Sequence, residues 1–232
     1  MSVLLSFPGQ GSQFEGMLQG YTAEPITKAV VEEASDSLGE DILLLDSKAA
    51  LEDTRAVQLC LLVAGVASAR RLLEGLPAPD YVSGLSIGAY AAAVLSGALA
   101  FSDAVRLVSV RGRLMQEAYP HGYGMTAILG LSVTEVELLI EPYRCKDLPV
   151  YLANINAENQ FVLSGSEVLL EDIELTVSKK GRGRAKRIAV SVPSHCDLLN
   201  DQSLLLMEEI QKTEILKPRV KYLSGSNARL IL

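Results

Sequence analysis

The residues most able to do chemistry are Gly84-Leu85-Ser86-Ile87-Gly88, which fit the pattern G-x-S-x-G. In that pattern a serine sits on a sharp turn between a strand and a helix, and the hydroxyl is pushed out to meet a substrate. The same residues also fit a plain glycine-bordered turn in which Ser86 is the N-cap of the next helix. A serine hydroxyl is a weak nucleophile until a base takes its proton, and that base is nearly always histidine. The chain has only two, His121 and His195. Either one reads equally as an exposed surface residue. His195 is preferred as the base because it follows a strand and Pro193, at a domain junction of the kind where substrates bind.

The elements that must position these groups follow from apolar spacing and breakers. Residues 2–7 read as a strand ending in the loop Pro8-Gly9-Gln10-Gly11-Ser12-Gln13. Residues 25–38 and 54–73 carry helical periodicity. A strand at 80–83 precedes the serine turn, and helices follow over 89–99 and about 101–119, the latter capped by Ser102 or Asp103. This alternation predicts an α/β core with a largely parallel sheet. The rhythm changes after Pro120-His121-Gly122-Tyr123-Gly124, which reads as a linker. Strands at 125–131, 149–154, 160–164 and 187–192 then enclose helices at 132–141 and 166–179, the first opened by a Ser132/Glu135 capping box. The order βαββαβ is that of a ferredoxin-like unit. Residues 123–191 are therefore expected to form a small domain inserted into a core made of 1–122 and 192–232. A helix at 198–212 and a strand at 219–223 close the chain, whose apolar end Leu230-Ile231-Leu232 reads as an element cut short.

Bulk composition excludes several classes. The formal net charge of -7 argues against nucleic-acid binding. No apolar run is long enough for a membrane span, and no basic leader precedes Val3-Leu4-Leu5, so a cytoplasmic location is expected. The three cysteines, Cys60, Cys145 and Cys196, have neither disulfide-framework nor metal-ligand spacing, and no metal is expected. One local exception to the acidity is Lys179-Lys180-Gly181-Arg182-Gly183-Arg184-Ala185-Lys186-Arg187, with six positive charges in nine residues. It reads as a solvated loop or as a landing site for an anionic partner.

Four motifs occur in order: Phe7-Pro8-Gly9-Gln10-Gly11-Ser12-Gln13, the serine turn, Arg111-Gly112-Arg113-Leu114-Met115, and Ser191-Val192-Pro193-Ser194-His195-Cys196. Together they resemble the malonyl-CoA:acyl carrier protein transacylase family over essentially the whole chain. The resemblance implies an α/β-hydrolase-like core with the ferredoxin-like domain inserted where the family carries one. It also implies that Ser86 becomes acylated and that His195 serves as its base. The backbone N–H groups of Gln10 and Ile87 would form the oxyanion hole, and Arg111 would grip the free carboxylate of malonate. A guanidinium matches a carboxylate with a planar pair of donors, although without the resemblance Arg111 reads as a solvent-facing helix residue. Gln58 would correspond to a glutamine near the acyl pocket. The implied reaction moves a malonyl group from malonyl-CoA to the thiol of an acyl carrier protein, with no permanently bound cofactor. The basic run 179–187 would dock the acidic carrier.

Two departures sharpen the expectation. Fatty-acid-synthesis members carry histidine before the nucleophile and glutamate after the second glycine, where this chain has Leu85 and Ala89. With Gly122-Tyr123-Gly124-Met125-Thr126-Ala127-Ile128, these resemble the epsilon subunit of malonate decarboxylase, whose acceptor is the acyl carrier subunit of that complex. Malonate decarboxylation is thus the expected pathway. The alternatives are a malonyl transacylase of fatty acid or polyketide synthesis, a serine thioesterase or hydrolase, and a non-catalytic scaffold. Family members also continue beyond Leu232 with a residue that orients the histidine, so a chain ending there is expected to be weakly active or aggregation-prone.

Overall fold

A computed structural model describes residues 2–144 and 149–231. They fall into two compact units, Met1–Leu114 with Leu205–Leu232, and Met115–Leu204. Cys145, one of the three cysteines considered above, lies outside the described residues; Cys60 and Cys196 are free thiols. Among the described residues no helix is long and apolar enough to cross a membrane.

The first unit is built on a sheet of β1 (Leu4–Phe7), β2 (Tyr81–Gly84), β7 (Lys221–Leu223) and β8 (Leu230–Ile231), in the order β1-β2-β7-β8. The pairs β1–β2 and β2–β7 are parallel, and β7–β8 is antiparallel. The helices are α1 (Pro25–Leu38), α2 (Thr54–Leu72), α3 (Gly88–Ser96) and α4 (Phe101–Ala118), the last as far as Leu114 in this unit. Helix α2 is buried around most of its circumference, from Ala56 through Leu59, Leu62 and Val63 to Val66, and so forms the centre of the core. A parallel sheet needs such apolar cover because its crossover helices lie on its faces.

Several sequence expectations shift here for local reasons. Helix α4 starts at Phe101, so Ser102 and Asp103 lie in its first turn and are not its cap. Phe101 is buried under the Arg70 guanidinium, and the first helical bond is already made from the Ala104 N–H to the Ala100 oxygen. Helix α3 ends at Ser96 because the Ala98 and Leu99 N–H groups fold back onto the Ala93 oxygen. Strand β7 begins at Lys221, since the Arg219 N–H is used on the Ser96 oxygen at the end of α3.

The loop between β1 and α1 is tied down by Asp46, which is 3% exposed. Its Oδ2 accepts the Leu18 N–H at 2.8 Å, and its backbone oxygen accepts the Gly16 N–H at 3.0 Å. Burial pushes the Asp46 carboxyl above its ordinary value, with the N–H groups of Leu18, Met17 and Gly16 opposing. The native state then keeps this proton to higher pH than the unfolded chain does, so stability falls as pH rises from the unfolded to the native pKa. Asp46→Asn should remove that slope. Urea midpoints at pH 4 and pH 7 check this: relative to wild type, the variant should be better placed at pH 7 than at pH 4.

The second unit runs β3 (Tyr123–Leu129), α5 (Val133–Ile140), β4 (Tyr151–Ala157), β5 (Gln160–Ser166), α6 (Glu167–Lys180) and β6 (Arg184–Arg187). Its antiparallel sheet has the order β4-β5-β3-β6. Val136, Leu139 and Ile140 of α5 and Leu170, Ile173 and Val177 of α6 pack with Ile128, Phe161 and Leu163 of the sheet. The capping box forms as expected: the Ser132 Oγ accepts the Glu135 N–H, and the Glu135 carboxylate accepts the Ser132 N–H at 2.8 Å.

The expected strand at 187–192 is a correction. The ladder with β3 pairs Arg184 through Arg187, and Ile188 adds one bond to the Met125 oxygen. The Val190 N–H then turns onto the Ile188 oxygen and ends the pairing. The basic run is consequently not one loop. It forms the end of α6, a turn at 181–183 and the edge strand β6. The 3-10 turn Asp197–Leu199 leads into α7 (Asn200–Gln211), whose residues pass into the first unit at Leu205.

Candidate active site

The turn after β2 is forced by its glycines. A Cβ at Gly84 would lie 2.1 Å from the carbonyl carbon and oxygen of Gly88, and a Cβ at Gly88 would lie 2.4 Å from the Phe7 oxygen. Only hydrogen fits at either place, so β1, β2 and α3 converge without side chains between them. Gly84→Ala should therefore cost at least about 3 kcal/mol through overpacking of backbone on backbone. A chemical-denaturation midpoint measures it, and an unshifted midpoint would contradict the close approach.

Within this turn the Leu85 N–H donates to the Phe7 oxygen at 3.0 Å and the Gly88 N–H to the Leu85 oxygen at 2.9 Å. Ser86 has φ 53, the left-handed region that non-glycine residues rarely occupy. Holding it there stores about 1–3 kcal/mol of strain, a feature concentrated at functional sites. Ser86 is not the N-cap of α3. That place falls to Ile87, with no side-chain cap bond, and the Ser86 backbone oxygen accepts the Ala89 N–H. The hydroxyl is thereby left for other partners.

Its partner is Arg111, whose Nη2 donates to Ser86 Oγ at 3.1 Å. The other arm, Nη1, donates to Gln58 Oε1 at 2.5 Å. Gln58, fully buried on α2, in turn donates from Nε2 to Gln10 Oε1 at 3.2 Å. The amide orientation of Gln58 follows, because a guanidinium only donates and must face the oxygen. Four of the sequence-selected residues, Ser86, Arg111, Gln58 and Gln10, thus meet in one hydrogen-bonded chain, with Ile87 next to Ser86 at the start of α3. Gly112 makes the reach feasible: a Cβ there would sit 2.4 Å from the Arg55 Cα, so α4 lies directly on α2 one turn before Gln58.

Arg111 is half-buried, and among the described residues no carboxylate pairs with it. Burial lowers its pKa, but an arginine keeps its proton. Tyr90, whose phenol is pushed up by burial, lies within electrostatic reach of the guanidinium. Sequence reasoning did not single out Tyr90. The available signal was its position four residues after Ser86, in the first turn of α3.

An apolar cavity of about 750 Å³ is lined by Tyr90, Leu99, Leu107, Ile210, Leu216 and Tyr222 among others. It contains neither Ser86 nor Arg111. A smaller one, about 340 Å³, lies at the carboxyl ends of β1 and β2 and is lined by Phe7, Pro8, Gly84, Leu85 and Gly225. Ligands of open α/β sheets bind at such strand ends. The chemistry is therefore placed by the polar groups and not by cavity size. Among the described residues no group of three or more His, Cys, Asp or Glu side chains is arranged to hold a metal.

His195 belongs to the second unit and is exposed. It too is left-handed, with φ 59. The segment around it is pinned on both sides. The Ser194 N–H donates to the Val192 oxygen at 3.0 Å, Cys196 Sγ–H donates to the Pro193 oxygen at 3.2 Å and reaches Ser164 Oγ at 3.8 Å, and Tyr119 Oη–H donates to the Leu198 oxygen at 3.0 Å. Cys196, quoted above only as a free thiol and the end of the fourth motif, and Tyr119, which was not singled out, thus fix the backbone that carries the imidazole. His121, the other candidate, is exposed in the turn before β3.

Comparison with known proteins gives a consistent result. The acyl transferase domain family matches residues 6–230. The malonyl CoA-acyl carrier protein transacylase of Haemophilus influenzae is 37% identical, covering 96% of this chain and 73% of its own length. That of Escherichia coli K12 is also 37% identical, covering 96% and 74%. Among solved structures, FabD of Acinetobacter baumannii aligns with a TM-score of 0.90 at 35% identity, over 98% of this chain and 74% of that one. A malonyl-transacylase solved in complex with its type II PKS acyl-carrier protein aligns with a TM-score of 0.91 at 34% identity, over 100% and 76%. With the ordered motifs and the Ser86–Arg111 pair, these matches establish that the chain belongs to the acyl transferase domain family and is an enzyme of the acyl-transferring type.

Proposed function

We propose that the protein transfers a malonyl group from malonyl-CoA to the thiol of an acyl carrier protein through an ester on Ser86. The observation that carries this reading is Arg111: a half-buried cation with no carboxylate partner among the described residues, 3.1 Å from the nucleophile. An acyl group that ends in its own carboxylate supplies the missing anion beside the reacting oxygen. Ser86 Oγ attacks the thioester carbon and gives its proton to His195. The C–S bond breaks, and the proton passes to the departing CoA thiolate. In the second half, the carrier thiol gives its proton to His195 and displaces Ser86 by the same path. The backbone N–H groups of Gln10, in the turn after β1, and Ile87, at the start of α3, meet the negative charge on the thioester oxygen, a role that fixed donors fill well. Malonyl-CoA is a substrate, and the scheme needs no bound cofactor.

The second unit is read as the ferredoxin-like insert, residues 123–191 within a hydrolase-like core of 1–122 and 192–232. Its βαββαβ element order and the β4-β5-β3-β6 sheet support this. The carrier docks on the positive end of the insert. Arg182 and Arg187 of the basic run are paired with Glu135 and Glu174, whereas Lys179, Lys180, Arg184 and Lys186 are exposed to an acidic partner.

The pathway supported best is fatty acid or polyketide synthesis, because the named relatives are malonyl CoA-acyl carrier protein transacylases. Malonate decarboxylation is the second reading, favoured by Leu85 and Ala89 in place of histidine and glutamate. Purified malonyl-enzyme offered a phosphopantetheine carrier protein, a decarboxylase carrier subunit, or buffer alone separates the readings. Rapid transfer to the first is expected. Transfer only to the second would favour decarboxylation, and equally rapid release of malonate into buffer would make the protein a hydrolase.

A further inference from the structure

We propose that Arg111 also latches the nucleophile: without substrate its Nη2 holds Ser86 Oγ, and the carboxylate of the incoming acyl group opens the latch by taking that donor. This rests on the reading of Arg111 as the carboxylate seat and adds a step to it. The geometry is asymmetric. Nη1 stays on Gln58 Oε1 at 2.5 Å, and Gln58 is fully buried and held by Gln10. The guanidinium therefore keeps its place while the Nη2 arm changes partner. No carboxylate among the described residues competes for that arm, so in the resting protein its acceptor is the serine itself.

The consequence concerns the chemical step. A hydroxyl oxygen has two lone pairs: the bond from Arg111 engages one of them, and the cationic donor lowers the nucleophilicity of the other. A malonyl group replaces that bond with an ion pair to its own carboxylate. An acetyl group has no carboxylate to take the donor, so Nη2 stays on the serine and the nucleophile stays damped. Selection against neutral acyl groups then lies in the acylation rate as well as in binding, and only interactions that differ between ground and transition states change that rate.

The test supplies the carboxylate separately. Single-turnover acylation of the protein by acetyl-CoA is followed by intact mass in sodium formate and in sodium chloride of equal ionic strength. Formate should occupy Arg111 and raise the acetylation rate about tenfold, the scale of one charge-assisted hydrogen bond. It should slow acylation by malonyl-CoA, whose carboxylate it displaces. In Arg111→Ala, already unlatched, formate should change nothing. The latch is overturned if formate leaves wild-type acetylation unchanged or slows it, or if it accelerates Arg111→Ala equally. The wild-type comparison stands alone should the variant fold poorly. A malonyl preference that holds in chloride while formate has no effect would remove the latch and leave the seat intact. Failure of both esters to acylate the protein would remove both.

Discussion

Ser86→Ala should abolish acyl-enzyme formation from malonyl-CoA and lower transfer to a carrier protein by about 10³-fold or more, the scale of losing a nucleophile. The loss should be chemical and not structural. Alanine keeps the Cβ and the left-handed backbone at φ 53, and the turn is set by Gly84 and Gly88, which the substitution leaves alone. Its urea midpoint should stay near that of wild type, because only the Arg111 hydrogen bond to Oγ is removed. Intact mass after incubation with malonyl-CoA reads the first expectation directly. Persistent labelling of the variant at another residue would move the nucleophile elsewhere.

Arg111→Ala should lower kcat/KM for malonyl-CoA by about 10²-fold, the scale of truncating one partner of a desolvated charge pair. The same change should not lower the rate with acetyl-CoA, so the ratio of the two substrates is the informative quantity. Arg111→Lys should fall between, since an ammonium supplies charge but cannot span Gln58 and a substrate carboxylate with a planar fork. Parallel losses for both esters would mean that Arg111 supports the site without reading the acyl group. Steady-state kinetics with both esters on folded variants decides this.

The serine turn was legible in the sequence because its constraint is local: two glycines four positions apart, with the backbone of one against the other, leave a pattern that any chain must write the same way. Arg111 and Gln58 were harder. Arg111 reads as an ordinary helix residue until α4 is laid on α2 at Gly112, a contact between segments more than fifty residues apart in the chain. Gln58 leaves a fainter trace, a single fully buried amide within the otherwise apolar middle of α2. Tyr119 and Cys196 act through contacts with Leu198 and Ser164 that no spacing announces. The alternation Ile188-Ala189-Val190 reads as strand, yet hydrogen bonding moved the strand into the basic residues before it. Charge suggested a loop there, but charged side chains are also how sheets protect an edge, and β6 is an edge. The short pair β7–β8 depends on a return contact, and its second strand is too brief to carry a periodic signal.

In the proposed reaction Ser86 carries the acyl group and Arg111 selects it by its carboxylate. The most direct measurement is peptide mapping by mass spectrometry of the protein quenched after mixing with equal malonyl-CoA and acetyl-CoA. One malonyl group is expected, on the peptide containing Ser86, with little acetyl adduct. An unmodified Ser86, or equal malonyl and acetyl occupancy there, would contradict it.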